Sequence, residues 1–184
     1  MSEPATTVNT DEELMASVAT GDRRAFGVLV ERYQGIVWRT AWRYTCNSED
    51  ARDICQMVFL KLYEAGPRYR NTAAFRTYLF RIANNVCIDH YRKKRHTSEI
   101  DTAEMADTAP LSDERHEERE HELKLRFAIA QLPERQRRAV VLRYEADLPV
   151  KEIAITMGIT RKAVERLLAH AREALRRMVG ENAD

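Results

Sequence analysis

The segment VKEIAITMGITRKAVERLLAHAREALRR, Val150–Arg177, contains the pattern that decides the fold of this part of the chain. Gly158 separates two helix-length runs, and Thr160 is placed to cap the second of them. Apolar or small residues recur at helical spacing on one face of both runs, at Ile153, Ala154, Met157, Ile159, Val164 and Leu167. Two short helices that pack through such residues across a glycine turn form a helix-turn-helix, which this segment therefore predicts.

The second predicted helix leaves a largely cationic face opposite its buried stripe. That face carries Arg161, Lys162, Glu165, Arg166 and His170. Cationic side chains near the start of such a helix contact phosphates and base edges in the major groove of duplex DNA. The sequence therefore predicts that this helix binds duplex DNA, with an ordinary helical hairpin and a solvated basic face as the alternative.

Helical periodicity extends over most of the remaining chain, in which Gly and Pro are few. The spacing of apolar residues predicts helices over residues 11–19, 26–44, 49–64, 73–94 and 113–131, and a further helix that opens at Pro133. Gly66 and Pro67 end the third of these, so Pro67–Thr72 is predicted to be a loop. These elements predict an all-α protein with two small helical domains joined by a flexible acidic linker.

The net charge of +1 conceals two oppositely charged blocks. Residues 68–96 contain eight arginines and lysines and one acid, whereas residues 97–120 contain nine acids and two arginines. A basic block beside an acidic tether is typical of proteins with a nucleic-acid surface. Because the acidic block also lacks apolar periodicity, we expect a flexible linker over residues 97–115.

The expected domain organisation follows from these boundaries. Residues 1–10 are predicted to be a disordered tail, residues 11–96 the first domain and residues 116–180 the second. No apolar run approaches the ~18 residues that a membrane span needs. The polar, acidic N-terminus also differs from a signal peptide. We therefore expect a cytoplasmic protein without membrane insertion.

Aromatic residues accompany the positive charge in the middle of the chain, at Tyr69, Phe75, Tyr78, Phe80 and Tyr91. This combination binds single-stranded nucleic acid, because bases stack on aromatic rings while Arg and Lys contact phosphates. The alternative is that the rings belong to the core, since Phe75, Tyr78 and Ile82 also follow helical spacing.

Three stretches together resemble the sigma-70 family, and specifically its extracytoplasmic-function (ECF) group. They are DARDICQMVFLKLY at residues 50–63, FRTYLFRIANN at residues 75–85 and KAVERLLAHAR at residues 162–172. The resemblance covers most of the chain and implies an RNA polymerase sigma factor, which directs the polymerase to promoters and opens them. It implies no catalytic residue, no cofactor and no metal site.

The first stretch resembles the helix through which these factors bind the β′ clamp of core RNA polymerase. The resemblance assigns core-polymerase binding to Asp53, Gln56, Phe59, Leu60 and Tyr63. Packing in the core is the alternative role for Phe59. The family also implies the β flap as a second contact on the polymerase, and an anti-sigma factor as inhibitory partner.

The second and third stretches resemble the helices that read the two promoter elements. For the −10 element, bound as a single strand, the resemblance implies contacts from Arg68, Tyr69, Arg70, Asn71, Tyr78, Arg81, Asn84, Asp89, Arg92 and Lys93. For the −35 element, bound as a duplex, it implies contacts from Thr160, Arg161, Lys162, Glu165, Arg166 and His170. The loop at residues 67–74 is placed where the family holds a base flipped out of the −10 element. Tyr78 stands where the family usually has Trp, and Arg166 and His170 depart from its usual residues.

Two other functions fit parts of the sequence. A helix-turn-helix repressor with a ligand-sensing N-terminal domain would bind duplex DNA without polymerase, usually as a dimer on palindromic sites; the clamp-like helix argues against it. An enzyme or metal sensor would have to be built from Cys46, Cys55, Cys87, His90 or His96. No nucleophile–base pair, phosphate loop or H-E-x-x-H pattern supports it. The three cysteines, an odd number without a C-x-x-C pair, are most simply small buried residues.

Overall fold

A computed structural model of the chain describes residues 9–97 and 116–180, and within them it contains eight α-helices, one 3₁₀ turn and no strand. The N-terminal group of helices is α1 (Asp11–Ala19), α2 (Arg23–Thr45), α3 (Ser48–Ala65) and α4 (Phe75–Thr97). The C-terminal group is α5 (His116–Gln131), α6 (Glu134–Tyr144), α7 (Val150–Met157) and α8 (Arg161–Gly180). The all-α prediction is confirmed. The predicted tail at residues 1–10 and linker at residues 97–115 fall almost wholly on residues 1–8 and 98–115, which lie outside the described residues.

Side-chain caps fix where the first three helices begin. Thr10 and Glu13 form a capping box at α1, in which the Glu13 N–H donates to Thr10 Oγ1 at 3.2 Å and the Thr10 N–H to Glu13 Oε2 at 2.8 Å. Asp22 accepts hydrogen bonds from two amides of the first turn of α2. Asn47 caps α3, since its Oδ1 accepts the Asp50 N–H at 2.9 Å.

The loop after α3 is more regular than the sequence predicted. Gly66–Arg68 forms a 3₁₀ turn, because the Tyr69 N–H donates to the Gly66 carbonyl at 3.0 Å. At the other end of the loop, the Phe75 N–H donates to Glu12 Oε1 of α1 at 2.8 Å. The loop that leads into α4 is therefore held at both ends.

The N-terminal group encloses an apolar core. Its largest fully buried side chains are Met15, Leu29, Val37, Ile54, Val58, Leu62, Phe75, Leu79 and Phe80. The Phe75 ring meets the Tyr33 ring edge to face, with 5.3 Å between centroids. Of the aromatic residues in the basic region, Phe75 and Phe80 therefore belong to the core, which was the alternative interpretation for them.

The helix-turn-helix predicted at the C-terminus is present as α7 and α8. Gly158 ends α7 in the left-handed region at φ +66°, and the Ile159 N–H donates back to the Ala154 carbonyl at 3.0 Å. This is the Schellman-type ending that glycine favours. Ile153 and Val164, both fully buried, pack the two helices into the core. The turn and the buried stripe together fix the direction of α8.

A matched pair of glycine substitutions tests this turn. Gly158→Ala meets no atom within 4 Å, but it places a Cβ at positive φ and is expected to cost about 1–2 kcal/mol. Gly27→Ala also has open space and lies within α2 at ordinary helical φ, so it is expected to stabilise by about 0.5–1 kcal/mol. Thermal unfolding should therefore show opposite shifts of Tm, about 2–4 °C per kcal/mol. A fall of Tm in both variants would contradict the role assigned to the left-handed turn.

The two groups of helices pack against each other. Helix α7 lies against α4, and α5 and α6 lie against α2. Buried residues of both groups form one continuous apolar cluster, which includes Leu79 of α4 and Ile153 of α7. A flexible linker between two domains is compatible with both compact and open arrangements, and the structure adopts the compact one.

Candidate nucleic-acid and polymerase interface

Helix α8 presents its predicted DNA face to solvent. Val164, Leu168 and Ala171 are buried against the rest of the C-terminal group. All six predicted −35 residues are exposed, namely Thr160, Arg161, Lys162, Glu165, Arg166 and His170. Thr160 also caps the helix, since its Oγ1 accepts the Ala163 N–H at 3.2 Å. The face is therefore free of covering residues even in the compact arrangement.

Helix α3 carries an exposed stripe that mixes polar and apolar side chains. Asp53 and Gln56 are exposed at its N-terminal end, and Leu60 and Tyr63 are 51% and 37% exposed farther along. Met57, which the sequence analysis did not single out, is 44% exposed within the same stripe. Neighbouring apolar side chains in water, rimmed by polar ones, are typical of a protein-binding surface.

Phe59 is not part of that stripe. Its side chain is 8% exposed, and its ring lies edge to face with Phe26 of α2, 6.4 Å between centroids. Phe26 also contacts the Tyr63 ring at 5.0 Å. Phe59 therefore supports the stripe from beneath by packing between α2 and α3, which was its alternative role.

Helix α4 and the loop before it carry the predicted −10 residues, and most of these face solvent. The exposed ones are Arg68, Arg70, Asn71, Arg81, Asp89, Arg92 and Lys93. Tyr78 is half-buried, whereas Tyr69 is 8% exposed and its ring meets that of Tyr78 at 5.2 Å, edge to face. Asp89 lies 4.0 Å from Lys61 Nζ of α3. Tyr69 thus backs the Tyr78 ring instead of facing solvent.

An open pocket of about 400 Å³ lies between α3 and α4 beside these residues. It is lined by Lys61, Glu64, Ala65, Arg68, Tyr78, Ile82 and Asn85. An aromatic ring, an amide and two cations around one concavity can stack a base, hydrogen-bond its edge and contact its phosphates. The sequence did not indicate Asn85 or Lys61 as part of the −10 site. It pointed instead to Asn84, the neighbour of Asn85.

Asn84 itself is covered by the C-terminal group. It is 6% exposed, and its Oδ1 accepts a hydrogen bond from Arg138 Nε of α6 at 2.9 Å. Its Nδ2 is buried with no partner among the described residues. Of the ten predicted −10 residues, seven are therefore exposed, Tyr78 is half-buried, Tyr69 lies behind the Tyr78 ring, and Asn84 is buried between the two groups.

The three cysteines are free thiols in separate places. Cys87 is buried in α4, whereas Cys46 and Cys55 are half-buried. Burial raises the pKa of all three thiols. Within the described residues, no group of three or more His, Cys, Asp or Glu side chains is arranged to hold a metal ion. The side chain of His96 lies outside the described residues.

The buried Cys87 thiol makes the free energy of unfolding depend on pH. Burial raises the pKa of its thiol from the ordinary value of 9.0 to about 12. Between these pH values the folded chain keeps the Cys87 proton, whereas the unfolded chain loses it. The contribution of this thiol to the free energy of unfolding is therefore fully present below pH 9 and is lost as pH rises toward 12. We expect little loss below pH 9 and a loss that approaches about 1.4 kcal/mol per pH unit above it, so about 1.4 kcal/mol in total between pH 8 and 10, measured by urea unfolding. Cys87→Ala should remove this component of the slope, and an unchanged slope would contradict it.

The sequence matches known families over both groups of helices. Residues 29–97 match the family described as Sigma-70 region 2, and residues 122–175 match the family described as Sigma-70, region 4. The ECF RNA polymerase sigma factor SigM of Mycobacterium tuberculosis is 33% identical over 171 residues, which cover 92% of this chain and 85% of SigM. The chain belongs to the ECF sigma factors.

Two further proteins are similar to this sigma factor, one in sequence and one in structure. The RNA polymerase sigma-H factor of Pseudomonas aeruginosa is 34% identical over 176 residues, which cover 90% of this chain and 91% of that protein. The solved structure of CnrH in complex with the cytosolic domain of CnrY is 25% identical and superposes with a TM-score of 0.75. The superposition covers 95% of this chain and all of the CnrH chain (100%).

The described part of the chain contains no helix that is both long and apolar enough to cross a bilayer.

Proposed function

We propose that this sigma factor works by three separate surfaces: the stripe on α3 binds core polymerase, α8 reads the −35 duplex, and α4 with its pocket captures the −10 strand. The observation that carries the proposal is the pocket between α3 and α4. It opens beside Tyr78 of α4 and between two cations, Lys61 of α3 and Arg68 of the 3₁₀ turn, where a flipped base and its phosphates can be held together. The chain performs no chemistry on a substrate in this proposal.

Capture of the −10 strand supplies the energy for opening the promoter. Extruding a base from the duplex costs a few kcal/mol of unstacking and unpairing. Stacking on an aromatic ring returns about 1–3 kcal/mol per base, and Tyr78 presents such a ring in the pocket. Arg68 and Lys61 add phosphate contacts at its rim. The open strand is thus stabilised relative to the closed duplex.

The α3 stripe provides the attachment to the polymerase. Leu60, Met57 and Tyr63 supply apolar area, and Asp53 and Gln56 supply hydrogen-bonding groups beside it. Apolar anchors surrounded by a polar rim are the usual composition of a protein interface. We propose the β′ clamp as the partner of this stripe, and the β flap as the partner of the C-terminal group.

The −35 element is read by α8. Arg161, Lys162 and Arg166 lie along the exposed face that begins at the helix N-terminus, where side chains reach into the major groove. Glu165 on the same face can accept a hydrogen bond from a cytosine amino group. This face defines the sequence preference of the factor at −35.

An anti-sigma factor is the proposed regulatory partner, and the cytoplasm the proposed location. The support is the likeness to CnrH, whose structure was solved in complex with the cytosolic domain of CnrY. A protein of this kind would act by covering one or more of the three surfaces.

Transcription with purified components tests the proposal. Core polymerase of the source bacterium would be combined with the chain and with sheared genomic DNA, and the transcripts sequenced. The proposal expects new transcripts from discrete start sites that require both proteins. Duplex DNA binding without any binding to core polymerase would instead favour a stand-alone helix-turn-helix repressor.

A further inference from the structure

Helix α1 contacts both ends of the loop that precedes α4. At the first end, α1 passes so close to the 3₁₀ turn that a Cβ added to Gly66 would lie 3.2 Å from Val18 Cγ1. At the second end, the Phe75 N–H donates to Glu12 Oε1 at 2.8 Å. Between these two contacts lie residues 68–71, all four of which are predicted to bind the −10 element. Helix α1 therefore spans the loop and fixes its two ends relative to each other.

Glu12 caps α4 from outside that helix. The first amides of an α-helix have no partner within the helix, and the side chain of the preceding residue often accepts from one of them. Ala74, which precedes Phe75, has no side-chain acceptor. The Glu12 carboxylate takes that place from α1, 63 residues earlier in the chain. Its negative charge is also favourable there, because the helix dipole is positive at the N-terminus of α4.

Contacts beside Glu12 hold α1 in place. The Asp11 carboxylate lies 2.8 Å from Arg32 Nη1 of α2 and accepts a hydrogen bond from the Tyr33 hydroxyl. The Tyr33 ring in turn meets the Phe75 ring edge to face. Because Asp11 and Glu12 are consecutive in the chain, these contacts form a closed ring at the start of α4. Glu12 is therefore itself fixed, so that its carboxylate can fix the position of Phe75.

Two tyrosines connect the start of α4 to the pocket. Tyr78 lines the pocket and lies three residues after Phe75, about one helical turn along α4. The Tyr78 ring is backed by the ring of Tyr69, which is buried. Burial, and then the nearby Glu12 carboxylate, raise the pKa of the Tyr69 hydroxyl. Glu12 therefore lies close to the residues that orient the Tyr78 ring.

We propose that Glu12 is a positioning residue for capture of the −10 strand. Without contacting DNA, it holds the start of α4, and with it the Tyr78 ring, in the geometry that receives an extruded base. A pocket that is ordered before binding loses less conformational entropy when the strand enters, and so binds it more tightly. Helix α1 precedes residues 29–97, which match region 2, so the −10 site depends on a helix before that match. This role rests on the proposed function, because positioning Tyr78 matters only if the pocket binds the −10 strand.

Three substitutions at Glu12 separate its hydrogen bond from its charge. Glu12→Ala removes both. Glu12→Asp keeps the charge but is one methylene shorter, which withdraws the acceptor from the Phe75 N–H. Glu12→Gln keeps a carbonyl acceptor at the original length and removes the charge. The matched control is Asp22→Ala, which removes one negative charge and the side-chain cap of a different helix, α2.

Binding of the holoenzyme, the sigma factor with core polymerase, to two fluorescein-labelled DNA probes gives the outcome. One probe is the better-binding single strand of the −10 element from a promoter found by the transcription experiment, and the other is the −35 duplex of that promoter. We expect Glu12→Ala and Glu12→Asp to raise the Kd for the −10 strand about fivefold, the usual effect of losing a helix cap, and to leave the Kd for the −35 duplex unchanged. Glu12→Gln and Asp22→Ala should stay within about a factor of two of wild type on both probes.

The direction of the change separates positioning from a simple effect of charge. Removal of an acid makes the chain more positive, so an electrostatic effect alone would lower the Kd for DNA in Glu12→Ala and Asp22→Ala alike. Equal Kd values for wild type and Glu12→Ala on the −10 strand, or equal losses in Glu12→Ala and Glu12→Gln, would overturn the role assigned to Glu12. If Glu12→Ala fails to fold by circular dichroism, the comparison of Glu12→Asp with Glu12→Gln decides in the same way. Failure of the wild-type holoenzyme to bind either −10 strand would instead contradict the proposed function.

Discussion

Leu60→Glu is expected to abolish most of the affinity of this sigma factor for core polymerase. Leu60 is the most exposed apolar side chain of the α3 stripe, at 51%, so a carboxylate there costs little in the free chain. At the centre of a docked interface it would be desolvated without a partner. Truncation of an anchor residue typically costs 2 kcal/mol or more, so we expect at least about a 30-fold increase in Kd, measured by fluorescence titration with core polymerase.

Val28→Glu is the matched control for this substitution. Val28 is also an exposed aliphatic residue, at 36%, and it lies on α2 outside the stripe. The same chemical change there should leave the Kd for core polymerase within about a factor of two, as is usual for surface substitutions outside an interface. Equal losses in both variants would show that the α3 stripe is not the docking surface.

Arg166→Ala is expected to have the second largest effect, on promoter choice. Arg166 projects from the exposed face of α8 one turn after Lys162, where a guanidinium can contact a guanine in the major groove. Loss of such a contact costs about 1–3 kcal/mol, or roughly 5- to 150-fold in promoter affinity of the holoenzyme. Discrimination among bases should fall at one position of the −35 element, and competition between promoters that differ at single −35 positions measures it.

Arg176→Ala removes the same charge from the same helix and provides the control. Arg176 is exposed near the C-terminal end of α8, almost three turns beyond Arg166. Its loss should lower affinity slightly and equally for all promoters, because any contact it makes would be to phosphate. If Arg166→Ala also weakened every promoter by the same factor, Arg166 would be a phosphate contact and would carry no sequence information.

The sequence predicted α8 well because one local pattern determines both its packing and its exposure. The buried positions Val164 and Leu168 fix which side faces the core, and the opposite side must then carry Arg161, Lys162 and Arg166. The left-handed Gly158 ends α7 and so fixes where α8 begins. Every part of this prediction depends on residues that are close in the chain.

The −10 surface was predicted less well, because helical periodicity identifies a face but not the neighbour that covers it. Tyr78 and Phe80 are both aromatic residues of one basic helix, yet Tyr78 lines the pocket and Phe80 is fully buried. Asn84 and Asn85 are adjacent and identical, and only the packed fold shows that Asn85 lines the pocket. Asn84 is covered by Arg138, 54 residues later in the chain, and no local pattern encodes that contact.

Opening of a promoter is the central claim, and permanganate footprinting measures it most directly. The template would be a promoter found by the transcription experiment, with core polymerase and the sigma factor present separately and together. The account predicts that thymines of the −10 element become reactive only when both proteins are present, and that they stay unreactive with either one alone. Start sites with no reactive thymine in the −10 region, or reactivity produced by core polymerase alone, would contradict it.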